Sequence, residues 1–99
     1  MRRVIWSDTA TTDFHDILHH IATADPDAAD RVADAIEASG AALGDFATGH
    51  PGRVAGTFEK LVRRLPYIIT YALTDDERTV SILRLIHAAR DWQDESWPE

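Results

Sequence analysis

Residues 79–92 read TVSILRLIHAARDW. The first half, residues 80–86, is a run of aliphatic and β-branched side chains broken by one charge, Arg84. Such a run predicts a strand buried on most of both faces, the central strand of a sheet. At His87 the texture changes, and Ala88, Ala89, Arg90, Asp91 and Trp92 make a short polar exit. An apolar strand that ends this way delivers His87 and Arg90 to the lip of the sheet.

Upstream, two more stretches have strand character. Residues 67–74 (YIITYALT) alternate Tyr67, Ile69, Tyr71 and Leu73 with Ile68, Thr70, Ala72 and Thr74. Residues 57–65 (TFEKLVRRL) form the other, with Pro66 imposing a tight turn between the two and Asp75-Asp76-Glu77-Arg78 a polar turn before the last strand. Three consecutive strands with short connections predict an antiparallel meander. Residues 44–56 hold Gly44, Gly49, Pro51, Gly52 and Gly56 and read as loop, with no phosphate-cradling glycine spacing.

The N-terminal half is helical in pattern. After a short strand at residues 3–6, expected at an edge of the sheet, Ser7 or Asp8 can cap a helix. Ala10, Phe14, Ile17, Leu18, Ile21 and Ala22 make its apolar stripe. Asp25-Pro26 ends that helix and starts a second, with Asp25 as cap and Pro26 at the first helical position. Its inward seam is Ala29, Val32, Ile36, Ser39 and Leu43, kept slim by alanines, so the two helices form a hairpin with a turn of about 3 residues. The expected fold is α+β: a helical hairpin packed on an antiparallel sheet, in the order β-α-α-β-β-β.

The 99 residues suit one domain spanning residues 1–99, with a short acidic tail at 91–99. The hydrophobic fraction of 44% excludes a disordered chain, and no apolar run is long enough to span a membrane. Residues 1–6 lack the apolar stretch of a secretory signal. Absence of cysteine excludes disulfides and thiolate sites and fits a cytoplasmic location.

The net charge of −7 is unevenly spread. Residues 1–52 carry three arginines against nine acids, −6; residues 53–90 carry seven bases against four acids, +3; residues 91–99 carry four acids, −4. A negative field disfavours loose binding to polyanions, while the basic middle suits an acidic partner. His15 and His19 stand at metal-ligand spacing on the first helix, but no third ligand is evident, and a solvated polar face is the reading adopted. Cofactors and metals are not expected. Trp92 and Trp97 in the acidic tail either fold back onto the sheet or anchor a partner.

Taken together, several stretches resemble the RelE/ParE superfamily of toxins from type II toxin–antitoxin systems. They are Trp6-Ser7 with Ala10, the helix ending in Asp25-Pro26, the Ala-rich second helix, Gly52-Arg53-Val54-Ala55-Gly56-Thr57, Pro66-Tyr67-Ile68-Ile69 with Tyr71, and Ile82-Leu83-Arg84 with residues 87–92. The resemblance implies a small α+β toxin, a cognate antitoxin as hetero-oligomeric partner, and growth arrest when that antitoxin is lost.

The superfamily divides by target. RelE-like members cut mRNA on the ribosome, and ParE-like members inhibit DNA gyrase by protein–protein contact. RNA cleavage at a 2′-hydroxyl needs a base, an acid and cations for the developing charge. On that reading Glu59 is the base, His87 the acid, and Arg63, Arg64, Arg84 and Arg90 the cations. The bland reading makes Glu59, Lys60, Arg63 and Arg64 solvated sheet residues in cross-strand ion pairs. Phe58 and Ala72 stand where basic residues are frequent in the superfamily, and the overall acidity is unsuited to a phosphate-rich ribosome. The ParE-like reading is therefore preferred. It has no catalytic residues, and Arg63, Arg64, Arg84, Arg90, Trp92 and Trp97 contact the partner. A chain that only binds its antitoxin, without toxicity, is a third class.

Overall fold

The computed structural model describes residues 1–88. The chain runs β1 (Arg3–Trp6), α1 (Asp8–Ala22), α2 (Pro26–Asp45), β2 (His50–Pro51), β3 (Phe58–Leu61), β4 (Tyr67–Thr74) and β5 (Thr79–His87). The five strands make one sheet in the order β1-β5-β4-β3-β2.

The helices start where the capping residues place them. Ser7 Oγ accepts from the Ala10 amide, and Asp25 Oδ1 accepts from the Ala28 amide with Pro26 following it. Each cap satisfies one of the amides a helix start leaves unbonded. Between the helices lie Thr23, Ala24 and Asp25, whose amides bond back to His19 and Ile21 carbonyls.

The meander is antiparallel, as expected: β3 pairs with β4 and β4 with β5 along their lengths, with a bulge between Thr70 and Tyr71. β1 joins parallel to β5, Val4 opposite Val80 and Trp6 opposite Ile82. The sheet is thus mixed, and β1 sits at an edge. β5 is an interior strand with neighbours on both sides, but β4 is the geometric centre.

Three other expectations are corrected. The second helix extends through Gly44 and Asp45, so the loop begins later than the glycines suggest. A Cβ on Gly44 would lie 2.8 Å from the Arg2 carbonyl oxygen, and the Arg2 amide donates to Gly44 O at 2.6 Å. Glycine is there for close approach of helix and strand, not to break the helix. Residues 50 and 51 form the two-residue strand β2. The third strand stops at Leu61, because Arg64 adopts a left-handed conformation (φ 67°) and Val62 to Pro66 form the turn.

The two faces of the sheet differ. Tyr67, Ile69 and Tyr71 on β4 and Val80, Ile82 and Leu85 on β5 join Ile36, Leu43 and Ala10 from the helices in one core. Trp6 and Phe14 meet edge to face beside it (centroids 5.6 Å). Alternation puts Ile5, Glu59, Leu61, Ile68, Thr70, Ala72, Arg84 and Ile86 on the opposite, helix-free face.

Candidate functional site

The end of the sheet reached by β5 gathers three of the expected site residues. Arg63 and Arg64 are exposed on the β3–β4 turn rather than on a strand. His87 pairs with Tyr67 at the start of β4, their rings edge to face at 5.4 Å. The Ala88 amide donates to the Pro66 carbonyl at 2.7 Å, tying the end of β5 to the basic turn. Arg63, Arg64 and His87 therefore lie at the same end of the sheet. Arg90, Trp92 and Trp97 lie outside the described residues.

Arg84 sits three residues back, at the side of β5 that β1 does not cover. Its Nε and Nη2 donate to Asp13 of α1 at 2.9 and 3.3 Å, and the Leu85 amide also donates to Asp13 Oδ2 at 3.0 Å. Ser7 serves the same edge: its amide donates to Ile82 O and its hydroxyl to Leu83 O. Where β1 runs out, Ser7 and Asp13 take over the backbone groups a missing strand would have paired. Nothing local marks Asp13 for this role, since its partner is 71 residues away. Beside this clamp a cleft of about 270 Å³ opens between α1 and β5, walled by Asp13, Asp16, His20, Tyr67, Arg84 and His87. A second hollow, about 370 Å³, lies over Val4, Trp6 and Phe14, with His15 and Glu37 at its margin.

Glu59 is occupied elsewhere. It is 4% exposed, and its carboxylate accepts from the Arg53 amide (3.0 Å), Nε (2.9 Å) and Nη2 (3.2 Å). Burial alone would raise its pKa, but the Arg53 side chain and amide, with His50 nearby, hold it below the ordinary carboxylate value. The cross-strand register aligns Glu59 with Thr70 and Arg84 on the helix-free face, whereas His87 pairs with Tyr67 on the helix-covered face. By that register their Cα atoms are on the order of 14 Å apart. The structure does not bring Glu59 and His87 together. Sequence reasoning missed Arg53, which reaches Glu59 across a loop, and no periodic signal could have found it.

Tyr71, 1% exposed, spans the core and donates its hydroxyl to Thr48 O at 2.7 Å, pinning the loop after α2. Burial raises its pKa, opposed by Arg2. Among the described residues no three His, Asp or Glu side chains cluster closely enough to hold a metal ion, and no helix is long and apolar enough to cross a membrane.

Known proteins share this sequence pattern and fold. A family model described as "ParE toxin of type II toxin-antitoxin system, parDE" matches residues 4–92. The curated protein named "Putative toxin Y4kP" from Sinorhizobium fredii (strain NBRC 101917 / NGR234) is 37% identical over 92 residues, covering 92% of this chain and 93% of that one. Among solved structures, a chain of the chromosomal ParDE system from P. aeruginosa superposes with a TM-score of 0.81 at 22% identity, over 88% of this chain and 96% of that one. A chain of the toxin–antitoxin complex RelBE2 from Mycobacterium tuberculosis superposes with a TM-score of 0.59 at 28% identity, over 87% and 96%. With nearly its whole length matched by that model, the chain belongs to the ParE toxin family of type II toxin–antitoxin systems.

Proposed function

We propose that this toxin acts in the cytoplasm by inhibiting DNA gyrase through protein–protein contact and is neutralised by a cognate antitoxin. The observation that carries the choice of target is the separation of Glu59 from His87. A ribonuclease needs its base and acid around one phosphate. Here the candidate base is bound three times by Arg53, has a lowered pKa that weakens it as a base, and faces away from the candidate acid. The net charge of −7 supports the same reading, because ribosome binding rewards positive charge.

The antitoxin reading draws on the family description and on the two solved neighbours, whose titles name a ParDE system and a toxin–antitoxin complex. Its acids meet the exposed Arg63 and Arg64, with Arg84, Arg90, Trp92 and Trp97 completing the contact. Because Arg84 also holds Asp13, Arg64→Glu is the cleaner probe. Binding of the cognate antitoxin by that variant as tight as by the parent would remove the basic turn from the interface.

Purified toxin added to gyrase is expected to block supercoiling and trap cleavage complexes. Normal supercoiling with no trapped complexes would overturn the gyrase reading. Codon-dependent mRNA cuts during translation in vitro, abolished in His87→Ala or Arg90→Ala, would establish the RelE-like alternative instead. An absence of toxicity on expression without antitoxin would mark a chain that only binds its partner.

A further inference from the structure

The cleft between α1 and β5 holds two acids, Asp13 and Asp16, against one cation, Arg84. That cation is already engaged, because its Nε and Nη2 donate to Asp13. Asp16 stands three residues further along α1, on the same side of the helix. It is exposed at the cleft and has no ion pair among the described residues. With histidines counted as neutral, the described lining is therefore left with one negative charge. Flat and apolar surfaces surround the carboxylates. The rings of Tyr67 and His87 meet edge to face at 5.4 Å, and Ile17 and Leu85 supply aliphatic wall. The volume, about 270 Å³, is just below the roughly 300–1,000 Å³ of small-molecule pockets and suits one inserted side chain.

We propose that this cleft receives an arginine side chain from a partner protein. The guanidinium bonds the Asp16 carboxylate beside the Tyr67 and His87 rings, and the aliphatic stem lies along Ile17 and Leu85. An acidic side chain is excluded by the same groups: it would meet Asp13 and Asp16 and find the Arg84 donors turned toward Asp13. An apolar side chain would shield the carboxylates from water and offer them no hydrogen bond. Lysine brings a charge, but not the planar fork that bonds a carboxylate twice and packs on aromatic rings. The cleft is also separate from the exposed basic turn of Arg63 and Arg64. One partner can therefore lay acids on the turn and an arginine in the cleft. The inference does not rest on the gyrase reading, because its test is made on the isolated toxin with a small probe.

The probe is N-acetyl-arginine N-methylamide, titrated into the full chain while the methyl resonances of Ile17 and Leu85 are followed. Saturable shifts at both are expected, with a weak dissociation constant on the order of millimolar. The citrulline counterpart has the same length without the charge and is expected to give no saturable shift at those concentrations. Asp16→Asn is expected to weaken binding of the arginine probe about fivefold or more. Asp16 makes no described ion pair, so the variant should keep the fold, which circular dichroism checks. If it does not, the probe comparisons on the parent chain decide. No saturable shift at Ile17 and Leu85, equal binding of the citrulline or lysine counterpart, tighter binding of the glutamate counterpart, or unchanged affinity in folded Asp16→Asn would each overturn the proposal. Shifts as large at the Asp30 and Asp34 amides of α2 would mark general charge pairing and overturn it as well.

Discussion

Asp13 of α1 and Arg84 of β5 are joined by two hydrogen bonds at 2.9 and 3.3 Å, and the same carboxylate accepts the Leu85 amide at 3.0 Å. One side chain thus closes a sheet edge and neutralises a cation. Surface ion pairs contribute little alone, but here loss of the carboxylate also strands a strand amide. Asp13→Ala is expected to lower stability by about 1–3 kcal/mol. Arg84→Met, which keeps the Leu85 bond, should lose less. Urea unfolding of both variants and the double variant checks this, and equal losses would mean that the Leu85 bond contributes nothing.

The Glu59 carboxyl is held below its ordinary value of 4.5, so the folded state binds its proton less readily than the unfolded chain. Its contribution is therefore complete above the unfolded pKa and is lost as pH falls through the lower folded one. Glu59→Gln is expected to cost about 1–3 kcal/mol at neutral pH, and the deficit should shrink in denaturation series taken below pH 4.5. A deficit that does not change with pH would place the cost in packing.

His87 meets Tyr67 edge to face, away from Glu59, so it is not expected to transfer protons. If the toxin acts on gyrase as proposed, His87→Ala should trap cleavage complexes at the concentration the parent needs, provided circular dichroism shows it folded. A large rise in that concentration would bring His87 into the gyrase contact.

The β4–β5 turn places Asp75, Asp76 and Glu77 at φ 53°, 55° and 66°, three left-handed residues without a glycine. That conformation costs an L-residue roughly 1–2 kcal/mol, more than glycine loses in backbone freedom. Glu77→Gly keeps the carbonyl that accepts from Arg2 Nε at 2.7 Å. Thermal unfolding should show a gain of about 0.5–1 kcal/mol.

Gly44→Ala tests the helix–strand approach. In a solvated helix the change would gain about 1 kcal/mol. With the Arg2 carbonyl 2.8 Å from the new methyl, it should instead lower the melting temperature.

The elements legible in the sequence are those whose cause is local. Ser7 and Asp25-Pro26 announce their helices, and the alternation in residues 67–74 marks β4 to the residue. What escaped depends on distant partners. Gly44 looks like a breaker until Arg2 lies against it, and Arg64 gives no sign that it takes a glycine-like conformation. The charge distribution marks residues 53–90 as basic, but the sequence reads Arg63 and Arg64 as strand residues, whereas they sit on the β3–β4 turn. The capture of Glu59 by Arg53 and of Arg84 by Asp13 could not be foreseen, since neither pairing follows a helical or strand period.

The parallel pairing of β1 with β5 sets the order in which a growing chain can become a toxin. Val4 and Trp6 leave the ribosome early but find Val80 and Ile82 only after nearly everything between has been made. Such distant pairing is slow and leaves apolar strand edges waiting. Nascent fragments therefore lack the β1–β5 pairing, which gives the cell an interval during synthesis before a complete toxin exists.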